Sequence, residues 1–297
     1  MKTSPSTTIR QLLHEGTALL TRAGIDSPRL SAEVLVAHSL QLERLDILMD
    51  QGRCLEAHQI RSIRALFQRR ARGEPVAYLT GTREFYGLTF EVDQRVLIPR
   101  PETELLVDAV LETFASRDLP CLADVCTGSG VLGIVLAVHF PGLVGVLTDV
   151  SAQALDVARS NLIRHNLDSR LFCVRTDVMD SLQAESMDCI VANPPYIKSS
   201  VVRELSREVR DFEPCIALDG GPLGTSVCRK VLGQAARVLK PGGWLFMEIE
   251  DGQFQALDPV KAQAAGTWQD WRLIRDYQHL ERFVAARKLW PPGTTCG

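Results

Sequence analysis

Between residues 122 and 250 short apolar runs alternate with longer amphipathic ones, and this alternation constrains the fold more than any other feature. Residues 122–126, 143–148, 171–175 and the run ending at Asn193 have the length and apolar content of strands, whereas residues 131–139, 152–166 and 226–239 have the length and spacing of helices. Strands separated by such helices read as βαβ units, which wind into a parallel sheet covered on both faces. Residues 244–250 and segments near 271–274 and 282–286 extend the strand series. Ligands of such sheets lie at the carboxyl ends of the strands. Asp124, Asp149, Asp177 and Asn193 all fall at such ends, so one crevice can collect them.

The strand that begins at Met187 stops at Asn193 because Pro194 and Pro195 supply no N–H to a ladder. What remains there is the Asn193 amide, proline carbonyls and the Tyr196 ring on a stiff backbone. That set suits a planar group carrying an NH₂. Two carbonyl oxygens accept its two N–H bonds, leaving the nitrogen lone pair out of the plane, while the ring covers one face. The plainer reading is a proline-rich turn that caps a strand.

Upstream, residues 122–126 lead into Thr127-Gly128-Ser129-Gly130 and then an apolar helix. A glycine turn lets the backbone approach a ligand, and the N–H groups opening the helix favour anionic or polar groups. Asp149 lies 19 residues beyond Gly130, the spacing at which a carboxylate accepts hydrogen bonds from both hydroxyls of a ribose. A nucleoside-containing cofactor follows. Residues 128–133 also satisfy the dinucleotide pattern G-x-G-x-x-G, so the turn by itself does not choose the nucleoside. Asp124 chooses against a pyrophosphate and for a cofactor bearing an ammonium and a sulfonium, and no His or Tyr-Lys hydride-transfer pair follows. S-adenosylmethionine is therefore expected rather than NAD. Cys126, Thr127, Gly128, Ser129, Gly130 and Asn193 would surround it, and Asp177 and Val178 would flank the adenine, by hydrogen bond and by packing. On spacing alone Asp177 reads equally as a strand-end turn residue.

The first part of the chain is different. Residues 9–73 carry apolar positions at helical spacing, as in Ile9, Leu12, Leu13 and again Ile60, Ile63, Phe67, so a small helical bundle is expected over residues 1–74. Its arginines, Arg61, Arg64, Arg69, Arg70 and Arg72, read as a solvated face, with a nucleic-acid patch as the alternative. From Pro75 the period changes to alternation, through residues 76–79 and then around Gly87, as in a hairpin; residues 75–99 are read as a hairpin linker. The prolines of Ile98-Pro99-Arg100-Pro101-Glu102-Thr103-Glu104 hold that segment extended before a new helix. Structurally it reads as a domain connection with a helix start; the functional alternative is that it presents Arg100 and Glu102 as part of a substrate wall, and residues 100–297 are expected to form the sheet domain.

A net charge of -3 argues against nucleic acid as an obligatory partner. The polar N-terminus and the lack of any long uncharged apolar run point to a soluble, cytoplasmic protein. The 8 cysteines include no C-x-x-C pair, and Cys121, Cys126, Cys173 and Cys189 lie in apolar runs, so reduced thiols are expected. The scattered histidines support no metal site.

The motifs quoted above, together with Arg72-Gly73-Glu74-Pro75 through Gly81, Arg83-Glu84-Phe85, Pro214 and Leu218-Asp219-Gly220-Gly221, resemble the PrmC/HemK family over nearly the whole chain. Asn-Pro-Pro-Tyr alone is shared with adenine-N6 DNA methyltransferases; the Ile-Pro-Arg-Pro-Glu-Thr segment is much more specific. The resemblance implies a Rossmann-like class I methyltransferase sheet with an N-terminal helical bundle and a connecting hairpin. It implies S-adenosylmethionine-dependent methylation of the glutamine N5 in the Gly-Gly-Gln motif of class 1 peptide chain release factors, in translation termination. Asn193, Pro194 and Tyr196 would be catalytic, and Asn193, Pro194, Pro195, Tyr196, Arg100 and Glu102 would hold the substrate. The helical domain would grip the factor away from the glutamine, and the chain would act as a monomer. Two positions depart from the family: Cys126 replaces the loop's first glycine, as in ribosomal protein L3 glutamine methyltransferases, and Glu250 replaces the glycine after Glu-Ile. A ribosomal protein L3 enzyme is thus the first alternative, and an adenine-N6 nucleic-acid methyltransferase the second.

Overall fold

The computed structural model describes residues 7–257 and 267–290. Helices α1 (Ile9–Arg22), α2 (Pro28–Leu40), α3 (Arg44–Met49) and α4 (Ala57–Ala71) open the chain. Their apolar stripes meet in a core of Ile9, Leu12, Leu20, Leu35, Val36, Ile47, Ile63 and Phe67, each almost wholly buried. Burying each such side chain contributes about 1.5–3 kcal/mol. The start of α1 is fixed by a reciprocal cap: the Gln11 N–H donates to Thr8 Oγ1 at 3.3 Å, and the Thr8 N–H donates to Gln11 Oε1 at 2.9 Å. Arg61, Arg64 and Arg69 on α4, and Arg72 at its C-cap, are exposed, as a solvated face requires. Arg70 is the correction to that reading. It is 4% exposed and donates to the Glu74 carbonyl and to the Glu208 carboxylate, because a buried guanidinium needs acceptors.

Residues 76–80 also differ from the expected extended hairpin arm. They form helix α5 (Val76–Thr80), in which the Tyr78 and Leu79 N–H groups donate back to the Pro75 carbonyl, ended by Gly81 at φ +73°. Five residues are too few for alternation to be told from helical period, and the flanking Pro and Gly decide the outcome. The hairpin is shorter, β1 (Thr82–Phe85) and β2 (Leu88–Glu91), joined by Tyr86 and Gly87 at φ +51° and +74°. Positive φ at both turn residues matches the right-handed twist of the strands.

Beyond it come α6 (Glu104–Thr113), β3 (Cys121–Val125), α7 (Val131–His139), β4 (Val144–Asp149), α8 (Ala152–Arg164), β5 (Leu171–Arg175) and β6 (Met187–Ala192). Then follow the short α9 (Ser199–Val202) and α10 (Arg207–Phe212), α11 (Ser226–Val238), β7 (Leu239–Glu248), β8 (Trp268–Arg275) and β9 (Glu281–Lys288). By internal contacts the chain divides into a helical unit, residues up to Thr82 with Ser206–Phe212, and a sheet unit, Arg83–Leu205 with the residues from Glu213 onward.

The sheet runs β5-β4-β3-β6-β7-β9-β8. Strands β5, β4, β3, β6 and β7 pair in parallel, and β9 is antiparallel to both its neighbours. Along β6, Cys189 and Val191 enter the apolar layer under α7, whereas Ile190 and Ala192 enter the layer under α11. Burial on both faces is why this strand reads as one continuous apolar run. The chain winds outward from β3 through β4 and β5, then returns to place β6 on the other side of β3. That reversal opens a crevice at the strand carboxyl ends. Val125 pairs with Ala192, so the crevice is flanked by what comes next, Cys126 and Asn193.

Candidate active site

A cavity of about 500 Å³ occupies this crevice, lined by Asp124, Cys126, Thr127, Gly128, Ser129, Asp149, Asp177, Val178, Asn193 and Pro195, among others. Its floor is the turn after β3, where Cys126, Gly128 and Gly130 have φ of +57°, +55° and +86°. The turn therefore folds into a concave run that only glycine enters without strain. Cys126 adopts this left-handed conformation at a cost of about 1–2 kcal/mol, which a glycine at that position would not bear. Gly130 is not on the cavity wall; it donates to the Thr127 carbonyl and closes the turn.

Asp124 is buried behind the turn. Its Oδ2 accepts the Thr127 hydroxyl at 2.7 Å and the Gly133 N–H at 2.9 Å, and its buried Oδ1 has no partner among the described residues. Burial pushes this carboxyl up to about 7, against the two hydrogen bonds that pull it down. An orphaned buried oxygen on a cavity wall fits a ligand that brings a positive charge.

Asp149 ends β4 and accepts the Gly128 N–H at 3.1 Å on Oδ2 and the Ser151 N–H at 2.9 Å on Oδ1. Each oxygen keeps a lone pair for a ligand hydroxyl. Burial raises this carboxyl too. Val178 is held at φ +57° by the Thr148 hydroxyl, which donates to its carbonyl at 2.9 Å. Asp177 is more exposed and is paired with Lys230 of α11, so its carboxylate lies at the cavity's rim.

Several residues that frame the site are absent from any short motif. The fully buried Asn161 of α8 accepts the Glu91 N–H and donates to the carbonyls of Glu91 and Ser129, tying the hairpin to the glycine turn. Glu213 accepts from the Ile98 N–H at 3.2 Å and from Arg100 at 2.7 Å, which pins the proline-rich wall. Arg100 is thus committed to an ion pair, Glu102 is exposed on a short 3-10 turn, and neither lines this cavity.

Asn193 lines the cavity, with its Nδ2 3.3 Å from Thr103 Oγ1. Pro194 and Tyr196 are not on the wall; the Tyr196 ring packs against the layer containing Ile190 and Ala192, and its hydroxyl donates to Glu248 at 2.9 Å. The following loop is clamped from outside. The Ile197 N–H donates to the Leu218 carbonyl, the Gly220 N–H to the Ile197 carbonyl, and Gln253 Nε2 to the Tyr196 carbonyl. A Cβ on Gly220 would lie 2.5 Å from the Gly224 carbonyl oxygen and 2.7 Å from that of Pro195. Both obstacles are backbone, so Gly220→Ala must displace the Asn193–Tyr196 loop. A displacement near 1 Å at a reacting centre costs about a hundredfold in rate. We expect Gly220→Ala to lower kcat by that order with a much smaller change in calorimetric cofactor affinity; wild-type kcat would contradict the clamp.

Comparison with known proteins adds to this geometry. Residues 11–81 match the PrmC N-terminal domain, and residues 101–208 the methyltransferase small domain. The chain is 39% identical over 282 residues to the release factor glutamine methyltransferase of Nitratidesulfovibrio vulgaris, covering 95% of each chain. It is 38% identical to the enzyme of the same name from Chlorobaculum tepidum, covering 92% of this chain and 94% of that one. Among solved structures, a methyltransferase from Pyrococcus furiosus aligns at TM-score 0.50 and 20% identity, over 77% of this chain and 97% of that one. The hMettl16 catalytic domain, solved with the MAT2A 3'UTR hairpin 6, aligns at TM-score 0.57 and 15% identity, over 76% and 86%. These two likenesses show a class I methyltransferase fold.

Proposed function

The chain belongs to the release factor glutamine methyltransferases, and from that premise we propose that it transfers a methyl group from S-adenosylmethionine to N5 of the Gly-Gly-Gln glutamine in class 1 release factors. The observation that carries the site assignment is that one cavity joins the orphaned Asp124 oxygen, the glycine turn, Asp149 and Asn193. Bound S-adenosylmethionine supplies an electrophilic methyl on a sulfonium. Asp149 would hold the ribose, Asp124 would face the cationic methionine end, and Val178 and Asp177 would border the adenine.

The chain's own contribution is to the nitrogen. An amide nitrogen is a poor nucleophile because its lone pair is delocalised into the carbonyl. Asn193 Oδ1 and the Pro194 carbonyl would accept its two N–H bonds, raising electron density on nitrogen and fixing its plane. Holding it in line for transfer can supply several kcal/mol of the barrier by removing the entropy of encounter. The proton then leaves to solvent or to a carbonyl acceptor.

Asp124 gives this reading a pH signature. The cationic cofactor favours the ionised carboxylate, whereas burial holds the proton on until about pH 7. Affinity for S-adenosylmethionine should therefore be level above about pH 7 and fall below it by up to tenfold per unit, with proton release on binding. Asp124→Asn should remove the slope. Calorimetry in buffers of different ionisation heat reads both, and a wild-type affinity indifferent to pH would remove Asp124 from the cofactor's charge.

The helical unit would hold the factor at a distance from the glutamine, and the enzyme would act in the cytoplasm on its own as a single chain. Incubation with labelled cofactor and an intact release factor, a Gly-Gly-Gln peptide, ribosomal protein L3 or plasmid DNA tests the assignment. Label should map by mass spectrometry to the motif glutamine, with a far lower KM for the intact factor than for the peptide. Label on DNA or on ribosomal protein L3 instead would overturn the substrate, and equal KM values would overturn the grip.

A further inference from the structure

The carboxylate that ends β7, Glu248, is 2% exposed and touches the Asn193–Tyr196 loop once and the Pro101–Thr103 turn once. The Thr103 hydroxyl donates to its Oε2 at 2.7 Å, and the Tyr196 hydroxyl donates to its Oε1 at 2.9 Å. Thr103 is itself 1% exposed and lines the cavity beside Asn193. We infer that Glu248 is a positioning residue which, through Thr103, dictates which end of the Asn193 carboxamide faces the substrate.

The reasoning is one of hydrogen-bond polarity. An ionised carboxylate has no proton and only accepts, so both hydroxyls must give it theirs. A threonine hydroxyl has a single proton. With that proton directed at Glu248, Thr103 Oγ1 offers Asn193 lone pairs alone. The atom 3.3 Å away must then be the NH₂ end, Nδ2. Asn193 Oδ1 is left as the acceptor available to the cavity, which is the polarity that a substrate NH₂ requires. Reversing the amide would set donor against donor at the reacting nitrogen. The Tyr196 hydroxyl is held in the same sense, because burial and the neighbouring Glu248 charge both raise it and keep its proton on.

The groups facing Glu248 set when the relay works. Burial raises the Glu248 carboxyl and Glu102 raises it further, while the Thr103 and Tyr196 hydrogen bonds and the charge of Arg282 on β9 oppose them. Arg282 is itself paired with Asp276, and Cys228 of α11 faces the same carboxylate as a neutral thiol held up by burial. A protonated Glu248 can donate to Thr103 or Tyr196 and releases the polarity. The proton returns at a higher pH than for an exposed glutamate, so the acid limb of kcat lies correspondingly high.

The inference rests on the glutamine methyltransferase reading, and the test separates the two. Glu248→Gln preserves size but brings an NH₂ that can donate to Thr103, which lets the threonine proton turn to Asn193. With a release factor as substrate and saturating S-adenosylmethionine, kcat should fall a hundredfold or more. KM for the factor and the calorimetric cofactor affinity should stay within threefold, and the acid limb should vanish. In a Thr103→Val background the same change should cost less than threefold, since the relay is already cut, while Thr103→Ser should retain near wild-type kcat. Neutron diffraction on deuterated crystals should show Asn193 Nδ2 toward Thr103 in the wild type and Oδ1 toward it in Glu248→Gln. Wild-type kcat in Glu248→Gln, multiplicative losses in the double variant, or an unchanged amide in the neutron map would each overturn the relay. If the loss instead follows a fall in Tm, with the kcat of the folded fraction unchanged, Glu248 is structural only and the relay is likewise overturned. A wild-type protein that methylates no glutamine would instead sink the functional reading, with the neutron result still deciding the relay.

Discussion

Asn193→Ala should lower kcat for a release factor by about 10²–10³-fold, the range seen when one preorganised hydrogen-bond partner is removed from a reacting centre. The alanine leaves only the Pro194 carbonyl to receive the substrate's amide hydrogens. One of the two N–H bonds then has no acceptor, and the amide plane is free to rotate about the other. Thr103 and Glu248 stay in place behind the vacated position, since their 2.7 Å bond does not involve Asn193. Cofactor affinity should change far less, because the glycine turn, Asp124 and Asp149 form their own hydrogen-bond set. Single-turnover rates with labelled cofactor measure the first quantity and calorimetry the second. Turnover within a few-fold of the wild type would remove Asn193 from the chemistry.

Asp149→Ala should act in the opposite sense, weakening S-adenosylmethionine binding by about a hundredfold or more with a much smaller effect on kcat at saturation. Hydrogen bonds to a charged group are worth about 1.5–3 kcal/mol each, and two ribose hydroxyls depend on this one carboxylate. The same residue also receives the Gly128 and Ser151 N–H groups, so its loss loosens the turn against which the cofactor lies. Asp149→Asn retains most of the shape and isolates the charge, and should fall between the wild type and the alanine variant. Equal affinities for all three would contradict the ribose assignment.

The sheet's layers were readable because their determinants are local. Two prolines stop β6 at Asn193, and the apolar runs of β3 and β4, each followed by a helix, announce βαβ units, whereas β5 passes to β6 with no helix between them. The cavity was readable for the same reason: strand-end residues of a doubly wound sheet converge whatever their sequence separation. What stayed hidden depends on partners remote in the chain. Thr103 and Glu248 are 145 residues apart, and neither carries a motif of its own that names the other. Asn161 looks like an ordinary helix residue until the hairpin and the glycine turn are packed against it. Arg70 follows Arg69 in a basic stretch, yet one is exposed and the other buried, because a helix advances by about 100° per residue and only one of two neighbours can face the bundle. Residues 76–80 show the limit of periodicity, since a run of one helical turn fits both a strand and a helix.

A crystal structure with the demethylated cofactor and a Gly-Gly-Gln peptide puts the account to its most direct trial. The glutamine nitrogen should lie within about 3 Å of both Asn193 Oδ1 and the Pro194 carbonyl oxygen, with the ribose hydroxyls on Asp149. A glutamine whose carboxamide oxygen faces Asn193, or one bound outside the cavity, would contradict it.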